Sequence, residues 1–502
     1  MKKNFRNVLA FFHTPNWLFV LLSSVVVLRI PSFFEPYSYG DEMIYLTLGN
    51  AVRKGIGLYN SVHDNKPPLL YLTAAVAGNL FWFKVILALW SLVTIFIFWK
   101  LANRLFLKND ALQKISTVIF ATLTTIPLLE GNIVNSEVFM IGPTILAFYI
   151  LLDKKVGYKK IFIAGLLFSV SALFKFPAAF DVPAAVFLWL ITARFNKKGV
   201  VKLIKQTVVL IGGFATPIVL TFVCYAARGA FHEYLVAAFL QNFGYLSSWR
   251  PADTQKPFLV KNGPLLIRAT IVAVGGLILF IKRRSLSKKF TFISFWLLLT
   301  LFAVTLSERP YPHYLIQSVA PGSLLLGMLF AYKNIEQVLT IIPLTLAFFV
   351  PVYYKFWHYP TTTYYLRFIN LVSKNITKED YLNSFGGNTI RNYKTSHYIN
   401  LATSENDKVF VWGDNTTIYA LSKRFPPIKY VADYHIKDFS SNDEVISALS
   451  NDLPKLIVVT PDGSNFPELA NLIQNNYFQI EDIQGAKIYK LLSSENIHYI
   501  AP

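Results

Sequence analysis

Apolar stretches recur along the chain from residue 17 to about 352, and short basic clusters punctuate them. The stretches are 17–34, 84–106, 111–129, 138–152, 160–176, 178–194, 206–226, 264–281, 290–306, 313–331 and 336–352. An α-helix needs about 20 such residues to cross a bilayer core of about 30 Å. The clusters are Lys2/Lys3/Arg6, Lys100/Arg104/Lys108/Lys114, Lys154/Lys155/Lys159/Lys160, Arg194/Lys197/Lys198/Lys202/Lys205 and Lys282/Arg283/Arg284/Lys288/Lys289. Basic loops stay on the cytoplasmic side, so an even number of spans must separate neighbouring clusters. About eleven spans satisfy that rule, with the N-terminus cytoplasmic and the C-terminus outside. Stretch 67–83 would break it. It begins at Lys66-Pro67-Pro68, falls short of a crossing length, and ends in the interface-seeking run Phe81-Trp82-Phe83. It therefore predicts a helix lying on or dipping into the outer interface, with 84–106 as the span.

This topology leaves outer segments at 35–83, 227–263 and 307–313, with a short fourth at 130–137. From about residue 355 the chain turns polar and alternates strand-like with helix-like runs. Val409-Phe410-Val411-Trp412, Ile428-Lys429-Tyr430-Val431, Leu456-Ile457-Val458-Val459 and Ala486-Lys487-Ile488-Tyr489 read as strands. Helical runs near 415–423, 442–450 and 466–475 lie between them, which predicts a small α/β domain with a largely parallel sheet. The fold class is thus a polytopic α-helical membrane protein, residues 1–354, followed by an extracytoplasmic α/β domain, residues 355–502.

Composition agrees. Apolar residues make up 54% of the 502 and charged residues only 15%, against about 25% charged in soluble chains. The net charge of +20 is carried by the loop clusters. It reads as a topology signal and a contact with membrane lipids, not as a nucleic-acid footprint. The single cysteine, Cys224, excludes an intramolecular disulfide. No Walker loop, His-Glu-x-x-His, Gly-x-Ser-x-Gly or Gly-x-Gly-x-x-Gly occurs, so the chain shows no nucleotide cradle.

Titratable residues gather at the outer face. Asp41 and Glu42 follow the first stretch. A helix starting near Gly40 puts both in its first turn, where the dipole favours anions. They read either as a capping pair or as a general base or a ligand for a metal or ammonium group. His63, Asp64 and Lys66 follow within the same loop. Lys66 either snorkels to anchor the interfacial helix or binds a phosphate at headgroup depth. Glu137, after Asn135 and Ser136, opens an apolar stretch, where an acid is costly unless it faces a polar cavity. Lys175 sits at an outer span end and reads as a snorkelling lysine or a donor ligand. Arg309 and His313 open a late stretch after a Pro-rich turn, with Gln317 one helical turn further in. Both can bind phosphate, and His313 can equally be a structural hydrogen-bonder.

Together these residues resemble C-type (GT-C) glycosyltransferases, in particular the protein O-mannosyltransferase-like enzymes of family 39 and the lipid A aminoarabinose transferases. The resemblance rests on Asp41-Glu42 after the first span, the Gly-x-Gly-x-Tyr run ending at Tyr59, and Lys66-Pro67-Pro68. It extends to Asn135-Ser136-Glu137, His313-Tyr314-Leu315-Ile316-Gln317 with Pro321, and Val411-Trp412-Gly413-Asp414 through Arg424-Phe425-Pro426. It implies an inverting transfer of a sugar from a polyprenyl-phosphate carrier to a lipid, glycan or protein acceptor at the outer face of the cell membrane. It further implies Asp41 as the base, Glu42 and Glu137 as groups that orient the acceptor or hold a cation, and Lys66, Arg309 or His313 on the departing phosphate. The aminoarabinose transferases carry an acid just before the loop lysine, where this chain has Asn65. That departure takes one acid from the metal site of those enzymes; a divalent metal here would use Asp41 and Glu137, with His63 or Asp64 in place of the missing acid. Two other classes compete: a secondary transporter or flippase, and a non-catalytic glycan-binding relative or a ligase. The first would need charges midway in spans and repeated halves.

Overall fold

The computed structural model describes residues 14–244, 257–413 and 415–492. Lys2, Lys3, Arg6 and Asp414 lie outside the described residues. Helices stand at all the apolar stretches. Six are long and apolar enough to cross a membrane: Asn16–Phe34, Leu80–Leu105, Lys197–Ala227, Phe258–Arg284, Pro312–Ala331 and Ile335–Tyr353. The protein is thus a multi-pass membrane protein. Asp110–Leu123, Ser136–Leu151, Tyr158–Phe174, the 3₁₀ and α pieces of Phe176–Leu190, and Lys288–Val304 are shorter. Burial follows position in the bundle. Ser136–Leu151 is buried along nearly its whole length. The most apolar windows of Lys197–Ala227 and Phe258–Arg284 are only 11% and 6% buried, which is the pattern of faces solvated by lipid tails.

The interfacial stretch differs from its expected bounds. The first helix is Leu69–Ala77 alone; Gly78 ends it in the left-handed region, and the Asn79 side chain caps Leu80–Leu105 by accepting from the Trp82 N–H. Phe81, Trp82 and Phe83 therefore open the long helix instead of closing the short one. Gly78 suits this position because its φ is +70°, which L side chains rarely adopt. Nine residues span about 13 Å, too short to cross. The late stretch expected at 264–281 begins at Phe258 instead, with Pro264 accommodated near its start.

Three buried ties lock helix ends together. Arg29 donates to the Gly131 and Thr124 carbonyls and to Ser91 Oγ. Lys84, fully buried, pairs with Glu35 (2.8 Å) and Glu42 (2.6 Å) and donates to the Asn132 carbonyl. Asp181 accepts from Trp296 Nε1 and Gln317 Nε2.

The tail carries a four-stranded sheet in the order β1-β2-β4-β3: β1 Val409–Trp412, β2 Leu456–Val459, β3 Tyr477–Ile483 and β4 Ala486–Leu491. Only β1 and β2 are parallel; β2–β4 and β3–β4 are antiparallel. The expected largely parallel sheet is corrected by a hairpin. Gln484 and Gly485 both have positive φ, the two-residue turn that matches strand twist. Residues 428–431, expected as a strand, form an irregular bend that meets the Asp433–Phe439 helix, where the Tyr430 hydroxyl donates to the Phe439 carbonyl. The helices Asn442–Asn451 and Pro467–Asn476 lie where helical runs were expected. The tail docks onto the first outer loop: the His63 N–H donates to the Lys429 carbonyl, and the Tyr37 N–H donates to the Tyr393 hydroxyl.

Candidate active site

A cavity of about 980 Å³ opens between helix ends and the tail. Asp41, Lys66, Glu137, Lys175, Arg309 and His313 all line it. These residues come from five separate chain segments, so the fold, not local sequence, assembles them.

Asp41 sits in the first turn of the Gly40–Arg53 helix with Glu42, as the sequence predicts, yet the two carboxylates diverge. Asp41 borders the cavity and accepts from the Tyr45 hydroxyl at 3.0 Å. Glu42 points away. It is buried against Lys84 and accepts from the Val134 N–H at 2.6 Å. This corrects its expected role on substrate: Glu42 does not border the cavity, and its Oε1 is taken by an ammonium and a peptide N–H.

Lys66 reaches the cavity from a scaffold built by its neighbours. Its ammonium lies 3.5 Å from Asp64 and over the Tyr45 ring, while Tyr59 donates to its carbonyl at 2.8 Å. Tyr59 is itself buried among Tyr225 and Tyr234, so it fixes the loop and does not line the cavity. Asp64 is fully buried and accepts from Tyr71 and the Asn65 N–H. Burial alone would raise its carboxyl; Lys66, His435 and these hydrogen bonds overcome that and bring it to about 2. Asp64 is therefore an anionic strut under Lys66.

Glu137 is buried and ion-paired with Lys175, whose ammonium also stands 3.8 Å from the centroid of Tyr314. His313 pairs through Nδ1 with Glu130, a fully buried carboxylate that also accepts from Tyr39 at 2.9 Å. Arg309 borders the cavity beside Ser307 and Tyr311. Asn135, buried, precedes the Glu137 helix and lies outside the cavity wall. His63 is corrected as a metal ligand: it is packed between Tyr430 and Phe439 at the tail interface, away from the cavity. Burial lowers its imidazole to about 4. Among the described residues no group of three His, Cys, Asp or Glu is placed to hold a metal. With Glu137 paired to Lys175 and His63 turned away, Asp41, Glu137 and His63 do not fit one metal.

Sequence reasoning missed three participants. Glu130 stands in the left-handed region (φ 58°) at the start of the short 130–137 segment, but its partner His313 is 183 residues away. Lys84 reads as the start of a span. His435, from the tail, lines the cavity and faces Asp64 at 3.5 Å; burial holds its imidazole below the ordinary histidine range.

The fold matches solved structures along nearly its full length. ArnT from Cupriavidus metallidurans bound to undecaprenyl phosphate overlays at a TM-score of 0.57, covering 96% of this chain and 99% of that one at 12% identity. The same ArnT in the apo state overlays at 0.52, covering 95% and 98% at 11% identity. The chain has the GT-C fold. Residues 391–492 match the family described as "Putative competence-induced protein Ccs4 C-terminal domain", a range that includes all four strands of the tail. No curated protein matches the sequence. On the GT-C fold the cavity lies beside the first outer loop, where the resemblance puts the reacting groups. A second cavity of about 510 Å³, lined mostly by apolar side chains, shares Phe180, Ala269 and Phe302 with the first.

Proposed function

We propose that this protein is an inverting, polyprenyl-phosphate-dependent glycosyltransferase of the cell membrane, acting at its outer face. The supporting observation is the convergence of one open carboxylate, Asp41, and several cations on a single cavity. The acceptor hydroxyl loses its proton to Asp41 as its oxygen bonds to the anomeric carbon of the donor. The bond from that carbon to the phosphate oxygen breaks, its electron pair goes to the phosphate, and the configuration inverts. Negative charge on the phosphate grows through this step, so fixed cations stabilise the transition state more than the bound donor. Lys66, Lys175, Arg309 and His313 are the groups for that role, with Asp64 and Glu137 setting the positions of the lysines. The apolar cavity that joins the site at Phe180 and Phe302 suits the first isoprene units of the carrier. No step is routed through a metal ion, since the ligands do not converge.

In this reading about eleven helices cross the membrane, the N-terminus is cytoplasmic, and residues 355–502 form an outer domain that roofs the site. The acceptor is a lipid, a glycan or a protein. Mass analysis of membrane lipids and glycans with and without the gene tests the proposal and names both substrates. We expect a polyprenyl-phosphate sugar to accumulate and one glycan decoration to vanish. Unchanged lipids and glycans would overturn it.

A further inference from the structure

The helices of the tail differ in what they expose. Asn442–Asn451 turns Asp443, Glu444 and Ser447 outward, and Pro467–Asn476 turns Glu468, Asn471 and Gln474 outward. Polar faces of this kind suit water. Thr361–Val372, the first helix of the tail, exposes Thr362, Thr363, Leu366, Ile369 and Val372 instead. The three aliphatic side chains are 52%, 53% and 63% exposed, and no charged residue is exposed on this helix. They recur at every third position, so they share one flank.

The neighbours of this stripe fix where it stands. Tyr365, on the same flank, donates to the Leu28 carbonyl at 3.2 Å, and Phe368 packs on Phe34 with ring centroids 5.2 Å apart. Leu28 and Phe34 belong to Asn16–Phe34, one of the segments long and apolar enough to cross a membrane. On that segment Val27, Ile30 and Phe34 are themselves exposed, so the stripe continues a surface that faces lipid. Residues 354–360 join the helix to the membrane-crossing Ile335–Tyr353 segment. They include Phe356, Trp357 and Tyr359, and aromatic side chains collect at headgroup depth. Twelve residues span about 18 Å, too short to cross a bilayer core of about 30 Å. A short helix with one uncharged apolar flank, held beside the end of a span, fits the plane of the membrane surface.

We propose that Thr361–Val372 is an interfacial helix whose Leu366, Ile369 and Val372 insert into the lipid leaflet beside the tail, giving the tail a second membrane attachment besides the last span. This contact is independent of the reaction performed in the cavity. The test uses the full chain on a Cys224→Ser background, in phosphatidylcholine nanodiscs whose acyl chains are plain or brominated near the headgroup end. Single cysteines replace Leu366, Ile369, Glu444 and Val219, the last an exposed position of the Lys197–Ala227 span, and each carries a bimane label. Labels at Leu366→Cys and Ile369→Cys should lose to brominated lipid about as large a fraction of their emission as the Val219→Cys label loses. The Glu444→Cys label should lose almost none. Equal brightness of the Leu366→Cys and Ile369→Cys labels in plain and brominated nanodiscs overturns the proposal. If those two cysteines also cross-link between chains, the stripe is instead a contact with a second copy. Quenching of Glu444→Cys as deep as that of Leu366→Cys overturns it too, because the attachment then belongs to no particular face of the tail.

Discussion

Asp41 and Glu42 are neighbours in one helical turn, yet they live in opposite environments. Asp41 faces a wide cavity and accepts from one tyrosine hydroxyl, that of Tyr45. Glu42 is sealed between Lys84 and the Val134 N–H, with Glu35 sharing the same ammonium. Successive helical side chains point about 100° apart, so one turn of sequence can serve both a cavity and a core. The comparison teaches that an acid in an outer loop is defined by its enclosure. A carboxylate buried against an ammonium holds the fold, and one that borders a cavity can take a proton.

The sharpest way to break this contrast is to neutralise each partner in turn. Asp41→Asn should cut turnover about 10²- to 10⁴-fold, the usual contribution of a general base, with an unchanged melting temperature. Glu42→Gln should do the reverse, lowering the melting temperature while folded protein retains most of its turnover. Both are measured with a short-chain polyprenyl-phosphate sugar and a thermal melt. A loss below tenfold in Asp41→Asn would shift the base to Glu137.

Removing the cation of the sealed cluster comes next. Lys84→Met would strand two buried carboxylates, and an uncompensated buried charge costs about 3–5 kcal/mol. The melting temperature should fall by several degrees, and Glu35→Gln combined with Lys84→Met should recover part of it. A wild-type melt in Lys84→Met would mean that water reaches the cluster.

On the open side, Lys66→Ala should lower turnover about 10²- to 10³-fold, as loss of one preorganised donor to developing charge does. Lys66→Arg should restore part of this, because the charge is kept and the geometry is not. Kinetics unchanged in Lys66→Ala would leave Lys66 as an anchor for the Leu69–Ala77 helix and transfer the phosphate to Lys175 and Arg309.

What the sequence disclosed follows the same division. Helix positions were legible because apolar run length is a local property, and the Asp41 turn was legible because Gly40 and two acids mark a helix start. The end of the interfacial helix was carried by Gly78-Asn79, a stop and a cap that the aromatic run Phe81-Trp82-Phe83 outweighed. The β3–β4 hairpin was hidden for a related reason: Gln484-Gly485 is a weaker turn signal than Asn-Gly, and Glu481 with Asp482 broke the strand pattern. Pairings such as Glu130 with His313, or Asp64 with His435, join residues far apart in sequence. No period or spacing encodes them, and only the packed helices and the docked tail bring them together.

The smallest expected effect concerns the seam between the first outer loop and the tail. His63 is buried there between Tyr430 and Phe439, and burial lowers its imidazole from the ordinary 6.5 to about 4. The folded protein therefore binds this proton less readily than the unfolded chain. Stability is fully present above about pH 6.5 and is lost as pH falls toward 4, because the unfolded state takes up a proton that the seam excludes. A shift of that size corresponds to about 3 kcal/mol. His435, also held low by burial, adds to the same slope, whereas Asp64 at about 2 stays ionised throughout and adds none. Thermal melts from pH 7.5 to 4.5 should show a falling melting temperature in the wild-type protein. His63→Phe fills the aromatic pocket without a titrating group and should make that slope shallower, leaving the His435 share. An equally steep slope in His63→Phe would show that the seam is open to water and that His63 titrates as an exposed histidine.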